Sequence, residues 1–417
     1  MSSSASATSY AVERRGHLSR ASVTTPTIEA LGSISVAVTS DMREVEEVWR
    51  DLSDTVESPG QSYDFIRLWV DTRGIPAEDQ RYVVGKVDGV PVALLPLHRR
   101  TYRGFRFLGW FPGPHVGCNA PVADLTRLAA LGSEGRCALW QAMTRDLKDV
   151  ADFIYLREIP DVVGGVSGLF DELGATLDVE TLYRSQYDSW QECDSLQRSK
   201  SRRKHDRQQC ERLQALGDVS FEELGNGDEG VHTALAVMFR QRSARFRTMG
   251  IRDTFVKDGL TGFYQDLALA GSGTDIRLHV LRLNGEIVAV RYNVVHGERM
   301  FCLISSMSED LAIQSGSPGK QCLLRVMQSV FDRGTRVFDM GSGFTDEKRH
   351  WCNVRMPLRS HYVGLSLRGR AVIKAHRLVK RARAVIKANP HLKSAVRGVG
   401  MLWDRVTGPL GGLQTRN

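Results

Sequence analysis

Apolar residues along the chain recur at two spacings, and these predict alternating helices and strands. In the first half, apolar positions three and four apart predict a helix capped by Asp41 and another over about 62–72. Apolar runs on both sides of Asp88-Gly89 predict a β-hairpin, because an Asx-Gly turn matches the twist of paired strands. The other elements predicted here are strands at 105–110 and 153–156, a loop at 111–121 and a helix at 128–147.

The second half of the chain repeats this plan. Residues 83–93 and 279–289 share one pattern, which is a strand, an Asx-Gly turn and a return strand. The elements predicted around the second hairpin are strands at 219–222, 299–305 and 336–340, helices at 229–247 and 260–270, and a helix that follows Lys320 and ends at Gly334. The repetition favours two copies of one α/β unit over one large sheet.

A short loop before the last of these helices is the first candidate for chemistry. Its two glycines allow close backbone approach, and a helix start presents unpaired N–H groups to an anion. The alternative is a tight connection with a capping serine, and the spacing is not that of a P-loop. The predicted anion-binding residues are Gln314, Ser315, Gly316, Ser317, Gly319 and Lys320.

The second candidate is an acid inside an apolar strand. Asp339 follows Phe338 and precedes a glycine-rich turn and a charged helix start. A carboxylate at a strand end can act as a base or orient an amine. An equally weighted alternative is that Asp339 is a cap or an ion-pair partner of a nearby arginine.

The hairpin, the loop at 314–320, the Phe-Asp strand, Lys348 and Trp351 together resemble the C-terminal half of GNAT-type acetyltransferases. The resemblance is to the BioF2-like group, which is associated with bacterial cellulose and exopolysaccharide biosynthesis, and it extends over about 34–366. The N-terminal half is similar to the same group at Ser62, Phe65, Trp69, 92–97, 107–109 and the basic run 199–204. The run 343–348 departs from the family pattern, because it lacks the acid after the glycine and the tyrosine.

The resemblance implies an α/β fold with a mixed sheet, built as tandem GNAT-like domains at 34–190 and 195–367. It implies an N- or O-acyltransferase, such as an acetyltransferase, that takes acetyl-CoA or another acyl-CoA and needs no metal. The loop at 314–320 would hold the pyrophosphate. The residues expected to serve as the base are Asp339, His350 and Tyr292, and those expected to contact a small-molecule or saccharide acceptor are Lys348, Trp351 and Arg242.

Two other functions stay open. The first is aminoacyl transfer from aminoacyl-tRNA, as in the enzymes that build peptidoglycan cross-bridges. The basic segment 198–212, with seven Lys or Arg against two acids, suits such a donor, although a charged linker helix explains it as well. The second is a non-catalytic GNAT-fold binding protein, which the missing acid and tyrosine favour.

Composition and charge limit the remaining classes. The chain has 417 residues, of which 42% are hydrophobic, and no apolar run reaches the roughly 20 residues of a membrane span. The seven cysteines are scattered without a C-x-x-C pair, which argues against a disulfide framework or a zinc site. Residues 1–33 are rich in Ser, Thr and Ala and predict a disordered leader, so a cytoplasmic location is expected.

The net charge of +8 belongs to the C-terminal tail. Residues 368–417 carry twelve Lys or Arg against the single acid Asp404, so the rest of the chain is slightly acidic. The tail predicts a basic amphipathic helix over 369–406, broken near Pro390. Such a helix suits peripheral contact at the inner membrane or with a partner protein, and non-specific nucleic-acid binding stays open as an alternative. Apart from Trp403 it has no interleaved aromatics, which argues against specific nucleic-acid binding.

Overall fold

The computed structural model describes residues 32–53, 56–250 and 252–388. The predicted leader lies outside these residues except for its last two positions, and the tail beyond 388 lies outside them as well. None of the helices within the described ranges is both long and apolar enough to cross a membrane.

The first half of the chain contains nine strands and four α-helices in the described residues. The strands are β1 (Ile34–Thr39), β2 (Gln80–Val87), β3 (Val90–Tyr102), β4 (Phe105–Gly109), β5 (Val122–Ala123), β6 (Phe153–Pro160), β7 (Val162–Val163), β8 (Val166–Ser167) and β9 (Ala175–Gln186). The helices are α1 (Glu46–Leu52), α2 (Tyr63–Arg73), α3 (Leu125–Ala130) and α4 (Gly132–Arg145). The single helix predicted over 128–147 is two helices, because Gly132 adopts a φ of 64° between them.

The second half contains six strands and nine helices in the part of the chain that is described. The strands are β10 (Val219–Leu224), β11 (Asp275–Leu283), β12 (Glu286–His296), β13 (Arg299–Met307), β14 (Val337–Ser342) and β15 (Val354–Gly364). The helices are α5 (Trp190–Gln197), α6 (Lys200–Gln214), α7 (Val231–Thr248), α8 (Thr254–Lys257), α9 (Leu260–Leu267), α10 (Leu311–Gln314), α11 (Pro318–Asp332), α12 (Asp346–Trp351) and α13 (Leu367–Ala388).

Local sequence explains the two hairpins that the pattern predicted. Asp88 and Asn284 both have a φ of 51°, and the glycines after them have φ values of 77° and 80°. A two-residue turn with both positions left-handed fits the right-handed twist of the flanking strands. The hairpins β2–β3 and β11–β12 are therefore confirmed, as is the end of α11 at Gly334, which has a φ of 78°.

The strands form one mixed sheet of thirteen strands with a duplicated order. The path is β1-β2-β3-β4-β6-β15-β9-β14-β13-β12-β11-β10, with β5 paired to β3. All neighbours along it are antiparallel except β4 with β6 and β13 with β14. The order β1-β2-β3-β4-β6 thus repeats as β10-β11-β12-β13-β14. The duplicated order fits the expectation of two copies of one α/β unit. The expectation that the chain would not form one large sheet is wrong, because the sheet is continuous.

Two central strands that the pattern did not predict join the halves. β9 pairs with β14 and with β15, and β15 pairs with β9 and with β6. β9 precedes residue 190 in the chain but pairs with the second half, whereas β15 follows residue 195 and pairs with the first. Domain limits at 34–190 and 195–367 therefore stay a prediction. Strands from the two sides of the boundary pair with each other.

Helices cover both faces of the sheet and connect its halves. α2 of the first half packs on α9 of the second, with the Phe65 and Trp69 rings 5.1 and 4.8 Å from the ring of Phe263. α4 covers the first half on the other face, and α11 covers the second. Of the inner face predicted for α11, Leu323, Val326, Met327 and Val330 are confirmed as buried, whereas Leu324 is only partly buried.

Candidate active site

The parallel strands β13 and β14 pair over three residues only and then separate. Arg299, Met300 and Phe301 lie opposite Val337, Phe338 and Asp339, and no further pairing follows between these two strands. A cleft of about 310 Å³ opens beyond this point, and we name it the strand cleft. Its lining consists of 114–117, Arg242, Phe246, Thr254, Phe255, Tyr264, 301–303, 339–342 and Lys348.

The first half of the chain supplies one wall of the strand cleft. The loop before β5 reaches the end of β14 at Gly117, where a Cβ atom would lie 3.1 Å from the Cα of Gly341. Gly117 also has a φ of 79°, so the approach depends on a residue without a side chain. The neighbouring His115 faces the cleft and lies against Trp69, with ring centroids 5.7 Å apart.

A second cleft of about 380 Å³ lies at the start of α11, and we name it the arginine cleft. Arg242 lines both clefts and therefore connects them. Two further guanidinium groups line the arginine cleft, from Arg245 on α7 and Arg291 on β12. The remaining lining consists of 305–307, Gly319 and 345–347.

Arg291 is a buried cation, and one of its nitrogens forms no hydrogen bond within the described residues. Its side chain is 5% exposed, and Nη2 lies 3.1 Å from Oε2 of Glu347. Burial alone would lower the pKa of Arg291, but Glu347 raises it, so the charge is retained. The buried Nε has no hydrogen-bond partner among the described residues. Since an unsatisfied buried N–H is costly, this group is suited to an anionic ligand.

The loop at 314–320 meets the arginine cleft at one residue. The amides of Gly316, Ser317 and Lys320 donate to backbone carbonyls of the same turn, and Pro318 has no amide hydrogen. Gly316 packs under α6, because a Cβ there would lie 2.9 Å from Cβ of Leu213. Gly319 is the one residue of this loop that lines the cleft, so an anion here would meet a single amide together with the arginines.

The other predicted loop residues have structural partners or face away. Gln314 donates to the carbonyl of Ser308, and the hydroxyl of Ser317 accepts from Nε2 of Gln209 at 2.7 Å. Ser315 and Lys320 are exposed and do not line the arginine cleft. Of the predicted loop residues, Gly319 is thus the one that lines the arginine cleft, and an anion-binding role for the loop stays a prediction.

The family comparison covers the part of the chain that forms both clefts' main walls. Residues 200–349 match the family model described as the acetyltransferase (GNAT) domain. This part of the chain has the GNAT fold. No curated protein sequence matches the chain.

Two solved structures are similar to a longer part of the chain than the family model matches. FemX is 13% identical with a TM-score of 0.52, and the match covers 82% of this chain and 98% of FemX. A tandem GNAT protein from the clavulanic acid biosynthesis pathway is 11% identical with a TM-score of 0.44, over 80% of this chain and 99% of that one. At these identities the FemX match shows a common fold and nothing about substrates.

Asp339 of the GNAT domain belongs to a buried charge network. Its Oδ2 lies 2.7 Å from Nε of Arg184, and its Oδ1 accepts the amide of Gly341 at 2.7 Å. Arg184 also contacts Glu57, which in turn pairs with Arg299 at 2.8 Å. Both carboxylate oxygens of Asp339 are therefore occupied, which fits the ion-pair alternative better than a base.

Lys348 lines the strand cleft but is already engaged. Its Nζ donates to the carbonyls of Gly341, Ser342 and Gly343, so it clamps the turn after β14. Burial lowers the pKa of Lys348. Arg242 is another of the residues predicted to contact the acceptor substrate. Its Nη1 donates to the carbonyl of Ser305, whereas its Nε has no hydrogen-bond partner in the described structure.

Three predicted residues lie away from both clefts. Tyr292 is fully buried and donates to the carbonyl of Tyr264, and burial raises its pKa well above the ordinary value. Trp351 is buried in the core with α11. His350 is partly exposed on α12, where burial and Arg202 lower its pKa. The geometry gives these side chains no contact with a ligand in either cleft.

Sequence reasoning missed Arg291, Arg245 and His115. Arg291 carried a usable signal, since it is a charge inside the apolar run 287–295, the same pattern that drew attention to Asp339. His115 lies in the Pro- and Gly-rich loop 111–121, where the sequence does not reveal which structure the loop contacts. In the described residues, no group of three or more His, Cys, Asp or Glu could hold a metal ion.

Proposed function

We propose that this protein is an acyltransferase that transfers an acyl group from an acyl-CoA to a nitrogen or oxygen of a small-molecule or saccharide acceptor. The observation that supports it most is the arginine cleft at the start of α11. Arg242, Arg245 and Arg291 converge there beside the amide of Gly319, and Arg242 leads into the strand cleft.

The residues of the arginine cleft fit a pyrophosphate group. Guanidinium groups bind phosphate oxygens through charge-assisted hydrogen bonds, and a helix start adds partial positive charge. The unpaired Nε atoms of Arg242 and Arg291 supply donors that the protein itself does not satisfy. A donor anchored there can place its thioester in the strand cleft, where an acceptor nucleophile attacks the carbonyl carbon and the thiolate leaves.

The strand cleft contains a group that can hold the acceptor nucleophile. Burial, together with Arg73 and Arg100, lowers the pKa of His115 to about 4, so its imidazole is neutral at pH 7 and can accept a hydrogen bond from the acceptor's N–H or O–H. The acceptor's proton then passes to the leaving thiolate or to solvent. Burial raises the pKa of Tyr264, so this phenol stays protonated and can donate a hydrogen bond to the leaving thiolate. Both residues line the strand cleft.

A panel assay tests the proposal. Release of free CoA thiol from acetyl-CoA is followed with amino sugars and oligosaccharides as acceptors, which also tests the expected place in polysaccharide or cell-envelope metabolism. Arg242→Met should raise the KM for acetyl-CoA at least tenfold, whereas Arg240→Met, on the exposed side of the same helix, should not. Absence of thiol release above background with every acceptor would reject the proposal.

A second candidate is transfer of an aminoacyl group from aminoacyl-tRNA. The fold similarity to FemX is consistent with it, and α6 supports it by its place. Gln209 of α6 contacts Ser317 at the start of α11, and Lys204 and Arg207 of the same helix are exposed. Incubation with charged tRNA and with acetyl-CoA in parallel separates the two, since the protein should consume one donor and leave the other intact.

A further inference from the structure

The C-terminal helix α13 is fixed to the sheet by one face. Ile373 and His376 are buried against β6 and β15, and Nδ1 of His376 lies 3.1 Å from the hydroxyl of Tyr362. Gly369 lies so close to the carbonyl of Asp152 that a Cβ atom could not be accommodated. Since these contacts define the helix's rotation, its opposite face points outward.

The outward face combines leucines with cations. Leu367, Ala371, Lys374 and Leu378 follow one another at intervals of four, three and four residues, which places them on one stripe of a helix. Leu367 is 83% exposed and Leu378 is 70% exposed. The sequence Leu367–Ala388 contains eight Lys or Arg and no acid.

Five of the cations of α13 fall into two groups. Arg368 donates to the carbonyl of Gly104, and Arg377 donates to the carbonyl of Thr176, so both hold the helix in place. Arg370, Lys374 and Arg381 are exposed, and within the described ranges none of them forms an ion pair. These three flank or join the leucine stripe and are available to an external ligand.

We propose that the outward face of α13 binds the surface of a membrane that contains anionic lipids. Such a surface offers phosphate charges to Arg370, Lys374 and Arg381, and apolar chains to Leu367 and Leu378 at the same time. A nucleic acid offers the charges but no apolar surface for two leucines, and the stripe carries no aromatic ring for base stacking. This inference is independent of the acyl-transfer proposal.

Co-sedimentation of the full-length chain with lipid vesicles tests the inference. The chain should bind phosphatidylcholine vesicles that contain phosphatidylglycerol, bind pure phosphatidylcholine vesicles much more weakly, and be released by salt. Lys374→Ala with Arg381→Ala should weaken binding about 30-fold, at the energy usual for two cations near an anionic surface. Leu367→Gln with Leu378→Gln should also weaken binding, although the charge is unchanged.

A matched control distinguishes the helix from general electrostatics. Lys204→Ala with Arg207→Ala removes the same two charges from the exposed face of α6 and should leave vesicle binding intact. The inference is overturned if the control variant loses binding equally, if the α13 variants bind as well as the wild type, or if the wild type does not bind phosphatidylglycerol. It is also overturned if the chain binds single-stranded RNA through Lys374 and Arg381 with no contribution from the leucines. Because all replaced side chains are exposed, thermal unfolding should show intact folding for each variant.

Discussion

Replacing Asp339 by asparagine tests whether this carboxylate is structural or catalytic. Arg184 and Asp339 are both 5% exposed, and their contact at 2.7 Å is part of a network with equal numbers of positive and negative charges. Asp339→Asn removes one negative charge, so Arg184 and Arg299 share the single carboxylate of Glu57 and the buried network has one excess positive charge. Breaking a buried pair on one side costs about 3–5 kcal/mol, and the low end applies here because Glu57 still contacts Arg184.

The predicted result is a loss of about 3 kcal/mol in the free energy of unfolding, or roughly 5 °C in Tm. Chemical denaturation with fluorescence detection measures it. Arg184→Met combined with Asp339→Leu removes both charges and leaves Glu57 paired with Arg299, so the double variant should lose less stability than Asp339→Asn alone.

Acyl-transfer rates of the same variant complete the test. Below its unfolding temperature, Asp339→Asn should retain kcat within about tenfold of the wild type, because both oxygens are already occupied. Loss of a general base costs about 100-fold or more. Wild-type stability together with a 100-fold loss of kcat would show that Asp339 is the base and would refute the structural interpretation.

Three further predictions follow from residues around the strand cleft. Burial by itself would raise the pKa of Glu57, but Arg184 and Arg299 outweigh that effect and hold the pKa below the ordinary 4.5. The free energy of unfolding should therefore fall as the pH drops below 4.5. Denaturation at a series of pH values should show a weaker pH dependence for Glu57→Gln. Lys348→Met should cost about 2 kcal/mol and accelerate hydrogen exchange at 341–343, because three carbonyls lose a charged donor. Gly117→Ala should destabilise the protein by more than Gly104→Ala, since both positions have positive φ but only Gly117 faces a nearby backbone atom; equal melting temperatures would contradict this.

Elements that depend on local geometry were predictable from the sequence. The hairpins at Asp88 and Asn284 require two turn residues with positive φ, and the Asx-Gly pairs in the sequence favour that conformation. In α11, apolar residues at helical spacing indicate which face is buried. β9 and β15 were missed although their sequences carry a usable signal. Apolar and other residues alternate over 175–180 in β9 and over 354–359 in β15, as is typical of strands, but the alternation does not show which strands they pair with. Their pairing is decided by distant strands.

The site was predictable in position but not in its residues. The start of α11 was identified from its glycines, yet the cations that surround it come from α7 and β12. Arg291 depends on Glu347, which lies 56 residues away, for its charge partner. Asp339 was identified from the pattern, but its partner Arg184 lies on a strand that the pattern missed. Long-range pairing of charges is therefore the part that local sequence did not reveal.

Calorimetric titration with two thioesters tests the arginine cleft most directly. Acetyl-CoA carries the pyrophosphate, whereas S-acetylpantetheine presents the same thioester without phosphates. The wild type should bind acetyl-CoA at least tenfold more tightly than S-acetylpantetheine, and Arg291→Met should remove most of that difference while Arg282→Met, on a solvent-facing ion pair, should preserve it. Equal affinity of the wild type for both thioesters, or an Arg291→Met variant that still distinguishes them, would contradict a phosphate-binding role for this cleft.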